Sequence, residues 1–438
     1  MAGHALFICK KMNSKPLKIA VVGSGVAGLT AAYLLNKNHS VSLIEKEDRV
    51  GGHTRTLTLS KGPDAGLPID TGFIVMNLRN YPNFNRLLNE LGVAIQKSCM
   101  TFSYHDAQND YGYAGTSLRG ILPNLNYLFK QRHLSLVGDL IRFAFIGYKD
   151  LKNGFLKGKT LGEYLDERKL GSEFQYSYLF PMGAAIWSSP ILKMRDFPAE
   201  PYLHFLENHG LLRLINPPQW YTIQGGSHSY VKAILKTLKQ APKVDARIQK
   251  IVRPENAPCE IHYDTGAIEY YEHIVVATHA DTALKLLGDA DPSEEGRLSP
   301  WKYQDNQVIL HTDTQFLPPK KALWASWNFL RKESETHSTE VAPVSVSYYM
   351  NRLQRLKTNR PYIVTLNPQK AIDPNKTINS TILTHPLYSF DALNSQQILR
   401  EKNGLRNTWF CGSYFGYGFH EDAVLSSVQI ANAFDIQL

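Results

Sequence analysis

The sequence predicts an α/β fold: a discontinuous Rossmann-like domain interleaved with a second domain of mixed sheet and helices. Three observations predict it. A β-branched run, Ile19–Val22, leads into Gly23, Gly25 and Gly28 in the spacing G-x-G-x-x-G. Much later, Ile274–Thr278 reads as a buried parallel strand. Near the C-terminus a strand ending at Phe410, a turn at Gly412 and a helix from Ala423 repeat the opening pattern.

The opening stretch, Leu17 to Glu45, reads LKIAVVGSGVAGLTAAYLLNKNHSVSLIE. After the strand, a small-residue, Leu-rich run to about Lys37 is helix-like, and Val41–Ile44 is a second strand, which makes a βαβ unit. Gly23 allows the tight turn out of the strand. Gly25 has no Cβ, so a pyrophosphate can reach the backbone of Ser24, Val26 and Ala27. Gly28 lets the helix lie close on the sheet. The helix N-terminus then offers free N–H groups and a positive dipole end. Glu45, with Lys46 beside it, lies twenty residues after Gly25, where a carboxylate takes ribose hydroxyls. A carboxylate there disfavours a 2′-phosphorylated ribose, and so NADP. The plainer reading is a glycine-rich turn with no ligand. The strand before, the helix after and the acid at that distance favour a dinucleotide.

A chain of 438 residues suggests two or three domains. Cys9, Cys99, Cys259 and Cys411 are scattered and show no metal spacing, so no metal is expected and a reducing, cytoplasmic setting is favoured. The net charge of +9 fits either a solvated basic surface or attraction to an anionic partner. No nucleic-acid motif is present, so an anionic membrane surface is the better partner, with peripheral attachment to an inner membrane. The start, MAGHALFICKKMNSKPLK, has too short an apolar run for a signal peptide, and its charges follow that run. Residues 1–16 read as a disordered basic tail, with Met12 an alternative start. No uncharged apolar run is long enough for a transmembrane helix.

Past the acid comes KEDRVGGHTRT. Gly51-Gly52 is a second glycine turn, flanked by Arg49, His53 and Arg55, whose donors would add to a pyrophosphate site. Ile69-Asp70-Thr71-Gly72-Phe73 supplies a third. A simple nicotinamide dehydrogenase needs neither.

Glu-x-x-x-Arg-x-Gly-Gly after a βαβ unit resembles the flavin-containing amine oxidoreductase superfamily, which includes amine oxidases, carotenoid-type desaturases and fatty-acid double-bond isomerases. The closer resemblance is to a bacterial branch of predicted NAD/FAD-binding oxidoreductases, and to the N-terminal region of plant cyclopropane fatty-acid synthases. DTGFIVMN, FPMGAAIWSSP, NHGLL, GGSHSYV, VVATHADTAL, VSYYMNRLQRL, VTLNP and GYGFHEDAVLSS carry it through the whole chain. The resemblance implies FAD.

Asn83–Leu91 reads as a helix ending at Gly92, and Met100–Tyr113 as strands. Leu118–Lys159 is apolar and basic together. Val137, Leu140, Ile141, Ala144, Phe145 and Tyr148 are assigned there to one helical face. Such helices are either core elements with solvated basic faces or a membrane-facing, acyl-guiding lid. Pro181–Trp187 is small and apolar with an aromatic end, suited to a flat ring or to plain core. His209 is an acid–base group or, more simply, a hydrogen-bonded structural histidine.

Gly225-Gly226-Ser227 opens a helix, Tyr230–Leu238. Val244–Val252 reads as a strand, and Glu260–Tyr263 with Glu269–Tyr271 as a hairpin. In the resembling superfamily this order closes the FAD sheet, with the backbone near Ile248 at the adenine side and Ala277-Thr278 near the phosphates. His279 and Asp281 depart from the superfamily's Pro-containing turn. DPSEEGRLSP reads as a polar linker. Val308–Thr312, Leu323–Leu330, Val344–Tyr349 and Tyr362–Leu366 read as strands, and Trp324, Trp327, Tyr348 and Tyr349 as core or as aromatic walls.

At the C-terminus, the resemblance implies that a strand–Gly–helix crosses the pyrophosphate and ribityl chain through Gly412 and Ser413. The helix start would then point at the flavin N1–O2 edge. Gly418, Phe419, His420, Glu421 and Asp422 form that turn; an ordinary acidic N-cap is the plainer reading. His420, Glu421 and Trp187 are the candidate catalytic residues. Ser413 replaces the superfamily's usual acid, and no cysteine lies in Gly416–Asp422 for a thioether to flavin, so FAD is expected to be non-covalent.

The expected division is 17–77, 225–290 and 400–438 for the FAD-binding domain, with 78–224 and 291–399 for the substrate domain. The expected activity is FAD-dependent hydride transfer on a hydrophobic substrate, a membrane-lipid acyl chain first, by desaturation or isomerisation. An amine or polyene oxidase is the second reading. A non-catalytic flavin-bound subunit beside a cyclopropane-fatty-acid-synthase-like methyltransferase is the third.

Overall fold

The computed structural model describes residues 15–117, 120, 129–187, 189–212, 218–331 and 344–438. Most of the N-terminal tail and the start of the basic stretch, including 121–128, lie outside them. The chain opens with β1 (Lys18–Val22), α1 (Val26–Leu35) and β2 (Ser40–Ile44), the two strands parallel with Ala20 opposite Ser42. α1 is apolar on every side and almost wholly buried, as a helix between two layers must be. Short strands follow: β3 (Thr56–Thr58) pairs with β4 (Pro68–Asp70), and β5 (Met76–Asn77) precedes α2 (Pro82–Glu90). Next come β6 (Ile95–Lys97), β7 (Phe102–Asp106) and β8 (Tyr111–Ala114).

A helical region then holds α3 (Gln131–Lys152), α4 (Leu161–Glu167), α5 (Phe180–Trp187) and α6 (Ala199–Asn208). Its aromatic core gathers Tyr104, Phe143, Tyr164, Phe174, Trp187 and Tyr202. The buried face of α3 differs from the apolar one read in sequence. Its buried residues are His133, Leu136, Phe143, Ala144, Gly147 and Asp150, while Ile141, Phe145 and Tyr148 point outward. Ile141, Phe145 and Tyr148 do share one side, as read, but it is the outer one; of that set Ala144 alone is buried, and the inner side admits Asp150, held by Arg168 Nη2 at 2.6 Å and Tyr164 Oη at 3.1 Å. A paired charge can face a core that an unpaired one cannot.

The chain returns through β9 (Trp220–Ile223) and α7 (His228–Thr237) to the antiparallel β10 (Ile248–Val252), β11 (Cys259–Tyr263) and β12 (Ile268–Tyr271). β10 starts later than the sequence suggests: Lys243 instead bridges Ile44, and Asp245 takes a φ of 52°. β13 (His273–Val276) pairs in parallel with β1. α8 (Ala280–Leu286) and α9 (Pro292–Leu298) follow. The expected polar linker is therefore a helix. Asp291 and Glu294 form its capping box, and Glu294 is buried in an ion network with Arg253 and Arg297. Its charges signal pairing rather than solvent.

β14 (Lys302–His311), β15 (Trp327–Arg331), β16 (Val346–Tyr349), β17 (Ile363–Leu366) and β18 (Thr377–Leu387) join β7 and β8 in a seven-stranded mixed sheet ordered β18-β14-β17-β16-β15-β7-β8. β15 begins late because 321–323 coil into a 3₁₀ turn. α10 (Phe390–Glu401) leads to β19 (Thr408–Phe410) and the final α11 (His420–Ala433). β19 completes a four-stranded parallel sheet ordered β19-β13-β1-β2.

Strand alternation divides that sheet's two cores. Ile19, Val21, Leu43 and Val275 pack under α1, α2, α7 and α11. Ala20, Val22, Ile44 and Val276 face Ile251, Ile261, Ala392 and Leu399. Among the described residues no helix is long and apolar enough to cross a membrane, and no cluster of three or more side chains could hold a metal ion.

Candidate active site

The turn between β1 and α1 is built from contacts that only glycine permits. Gly23 has a φ of 97°, and a Cβ there would meet Ala277 O at 2.8 Å. A Cβ on Gly28 would collide with Gly23 O. Gly25 is different: a Cβ there would meet nothing within 4 Å. Open space therefore lies directly before the N-terminus of α1, which has no side-chain cap and no acid in its first turn. Gly52 flanks it, since its own Cβ would stand 3.0 Å from Gly25 Cα. Arg49 Nη2 donates to Gly52 O at 2.7 Å and fixes this second turn. Glu45 is buried, with Oε2 accepting from Ser24 N at 2.9 Å and from Ser24 Oγ at 2.5 Å. Lys46 is exposed beside it, and Ile248 lies on the strand that follows the 243–247 crossing of β2. Ala277 and Thr278 continue β13 under Gly23, and Ser427 Oγ of α11 donates to Ala27 O at 2.8 Å.

The third glycine turn has a structural centre. Asp70 is fully buried and accepts from Thr56 Oγ1, Ser227 N, Ser227 Oγ and Gln354 Nε2, all within 3.1 Å. Burial raises its pKa to about 6, against the pull of these donors. It ties β4 to the start of α7 and to the large sheet. Thr71 N donates to Arg55 O and Phe73 N to His53 O, and a Cβ on Gly72 would strike His53 O.

At the C-terminal turn, Gly412 N donates to Ser426 Oγ at 3.0 Å, and Ser413 opens a 3₁₀ turn. Asp422 Oδ2 accepts from Tyr417 N and Phe419 N, each at 2.9 Å, and burial raises its pKa to about 6. Glu421 Oε1 accepts from Asn83 N at 3.1 Å and Asn83 Nδ2 at 2.6 Å; Oε2 accepts from Phe84 N at 3.0 Å. Both its oxygens thus hold the N-terminus of α2. Glu421→Gln would aim an amide N–H at backbone donors there. We expect a stability loss of about 1–3 kcal/mol in chemical denaturation. A catalytic acid–base group would instead lower kcat by roughly 100-fold or more with little change in stability.

His420 stacks on Phe73, centroids 3.7 Å apart, with Nε2 3.3 Å from both Thr54 Oγ1 and Tyr230 Oη. Thr54 and Tyr230 hydrogen-bond each other. Burial pushes the His420 pKa down to about 3. Trp187 sits among Phe197, Tyr202, Phe205 and Phe419, and its indole Nε1 donates to Tyr417 O at 3.3 Å. It supports the 417–419 turn from behind. His209 is the structural histidine of the plainer reading: Nδ1 donates to Phe205 O at 2.8 Å, and the ring stacks on Phe205.

Three further histidines meet nearby. His53 lies 5.4 Å from His385 and 5.8 Å from His279, ring to ring. His53 Nε2 donates to Thr384 O at 3.1 Å, and His385 Nδ1 accepts from Asn306 Nδ2 at 3.2 Å. His279 stacks on Tyr303, centroids 4.5 Å apart. Burial, and then mutual repulsion, hold His53 well below its usual pKa, and His385 is lowered to about 4. His53, His279, His385, His420 and Tyr348 keep part of their surface accessible although protein surrounds them, so they border an internal space.

The flavin-containing amine oxidoreductase family matches residues 26–433. The chain belongs to that family. Mouse L-amino-acid oxidase is 34% identical over 285 residues, which is 62% of this chain but only 41% of that one. A CLA-producing fatty acid isomerase from P. acnes superposes with a TM-score of 0.61 at 16% identity, over 97% of this chain and all of its own. Cyclohexylamine oxidase from Brevibacterium oxydans IH-35A gives 0.66 at 14%, over 96% of this chain and all of its own. At such identities the shared property is the fold, an amine-oxidase-like FAD-binding fold.

The residues present fit the family's flavin cofactor. Gly25 leaves its Cβ position open before a free helix N-terminus, and the buried Tyr388 hydroxyl beside Gly418 finds no partner among the described residues. Sequence reasoning missed Thr54, Tyr230, Tyr388 and His385 as neighbours of this region. His385 lies on β18, whose polar-apolar mixture gave no clean alternation, although the THP triplet follows an apolar pair much as ATH follows β13.

The buried histidines fix the sign of the protein's acid response. All are neutral above about pH 7.5, folded or unfolded. Below that the unfolded chain takes up protons that the native one refuses, so their contribution is lost as pH falls toward 4. Asp70 and Asp422 act oppositely: their contribution is present below about pH 4 and lost as pH rises through 6. The five histidines outweigh the two acids. We expect the calorimetric unfolding midpoint to drop by roughly 5 °C or more between pH 7 and 4.5. A rise on acidification would refute this.

Proposed function

We propose that the protein is an FAD-dependent oxidoreductase that holds FAD non-covalently and acts on an uncharged, hydrophobic substrate, a fatty acyl chain first. The observation that carries this is the state of the polar groups at the internal space. Glu421 and Asp422 use their oxygens on backbone N–H groups, and the histidines are neutral. Phe73, Phe419, Trp327 and Tyr348 supply apolar surface around them. The carboxylates nearest His279, Asp281 and Asp305, are engaged as well, Asp281 with Lys285 at 3.2 Å and Asp305 with Thr384 Oγ1 at 2.6 Å, so they are poorly placed to take a substrate ammonium.

The α1 N-terminus, Gly25, Gly52 and Arg49 would bind the pyrophosphate, and Glu45 the ribose. The turn 416–422 would meet the flavin. FAD, when bound there, would supply the acceptor for a hydride equivalent from a substrate C–H bond. The apolar walls exclude water, and Asp422 and Trp187 keep the turn in place. Cys411 is fully buried with its thiol pushed up to about 12, which argues against a thioether from it. The fold is shared with a fatty acid isomerase and with a cyclohexylamine oxidase, so the fold does not choose the substrate.

The test is the flavin spectrum of the purified protein without oxygen. Phospholipid with unsaturated chains is added to one cuvette, amines and L-amino acids to another. Bleaching of the oxidised band by lipid alone supports the proposal. Bleaching by amines or amino acids alone overturns it in favour of amine oxidation. Silence in both turns attention to redox-neutral isomerisation, read from the lipid product.

A further inference from the structure

The outward face of α3 carries large apolar side chains that stay exposed, with Lys152 Nζ lying over the Tyr148 ring at 4.6 Å. Leu134, Ile141, Phe145 and Tyr148 are 53%, 44%, 70% and 38% exposed. Their spacing of 7, 4 and 3 residues places them within about 60° of one another on a helix some 33 Å long. Exposed Lys149 and Lys152 lie on or beside the stripe, as does Arg142, whose Nη1 and Nη2 donate to Lys169 O at 3.2 Å and Arg168 O at 2.6 Å. The only acids of α3, Asp139 and Asp150, are used inward: Asp139 accepts from Gly171 N at 2.8 Å, and Asp150 pairs with Arg168. The face is thus apolar and cationic with no free carboxylate.

We propose that this face docks the protein peripherally on an anionic lipid bilayer. Phe145, Ile141 and Leu134 enter the headgroup–acyl boundary, while Lys149 and Lys152 meet lipid phosphates and Arg142 adds its charge. Charge chooses this occupant over a second copy of the chain. An isologous contact would set these cations against themselves on molecules of net charge +9, whereas an anionic surface neutralises them. The inference does not rest on an acyl substrate, because its readout is partition and not turnover.

The flavin-loaded full chain is sedimented with vesicles of equal phosphatidylglycerol and phosphatidylcholine, and with phosphatidylcholine alone. We expect at least about 10-fold stronger partition to the anionic vesicles at about 0.1 M salt, lost at about 0.5 M. Ile141→Ser with Phe145→Ser, and separately Lys149→Glu with Lys152→Glu, should each weaken it about 10-fold or more. All four positions are exposed, so flavin content and melting stay as in the parent. Equal binding to neutral vesicles, no binding, or variants that bind like the parent would overturn the proposal. So would a dimer in solution that Ile141→Ser with Phe145→Ser disperses.

Discussion

Purified Gly25→Val protein should be folded and colourless. Gly25 has φ −61° and ψ 177°, a conformation any residue adopts, and its Cβ position is open for 4 Å around. The apoprotein therefore accommodates a Cβ there without strain, and valine's cost is confined to a poorer N-cap. The isopropyl group then fills the space before the free N–H groups of α1, where a pyrophosphate must come. We expect flavin affinity to fall by about 100-fold or more, equivalent to ~2.7 kcal/mol, with little change in the melting midpoint of the flavin-free form. Absorbance at the flavin band relative to protein reads it directly. Gly28→Val is the contrasting control. Its Cβ would collide with Gly23 O and come 3.2 Å from Ala277 Cβ, so that variant fails to fold rather than failing to bind. A folded Gly25→Val protein with full flavin would remove the pyrophosphate site from α1.

Asp70→Ala should be the most destabilising of the polar substitutions considered. The change strips an acceptor from Thr56, from Ser227 twice and from Gln354, all in the interior. Each buried donor left without a partner costs about 1–3 kcal/mol, and rearrangement recovers part of that. We expect about 3–5 kcal/mol lost in denaturant unfolding. Asp70→Asn keeps one acceptor oxygen but sets an amide against the Ser227 donors, so its loss should be intermediate. A loss below about 1 kcal/mol for the alanine variant would mean that water replaces the carboxylate, and that β4, α7 and the large sheet are held together by other contacts.

Much of the parallel sheet was legible because its signals are local. β-branched runs flanked by glycine turns gave β1, β2, β13 and β19 nearly at their bounds. The hairpin of β11 and β12 was legible for the same reason. α9 was not: DPSEEGRLSP looks solvated until Arg253 and Arg297 arrive from elsewhere to pair with Glu294. Which side of α3 turns inward was not legible for the same reason, since Asp150 is admitted to the core by Arg168 and Tyr164. β18 escaped notice because ten of its residues face β14, which lies far back in the chain.

The sequence by itself determined the βαβ unit, the glycines whose roles are steric, the acid at residue 45 and the family resemblance. These rest on spacing along the chain, and spacing survives without a fold. Only the tertiary structure decided what the polar groups do. Glu421 lies next to a turn in sequence, yet its oxygens hold a helix that starts at Pro82. His53, His279 and His385 stand far apart in sequence and face one another in space. A carboxylate or imidazole takes its role from desolvation and from partners within a few ångströms, and the fold sets both.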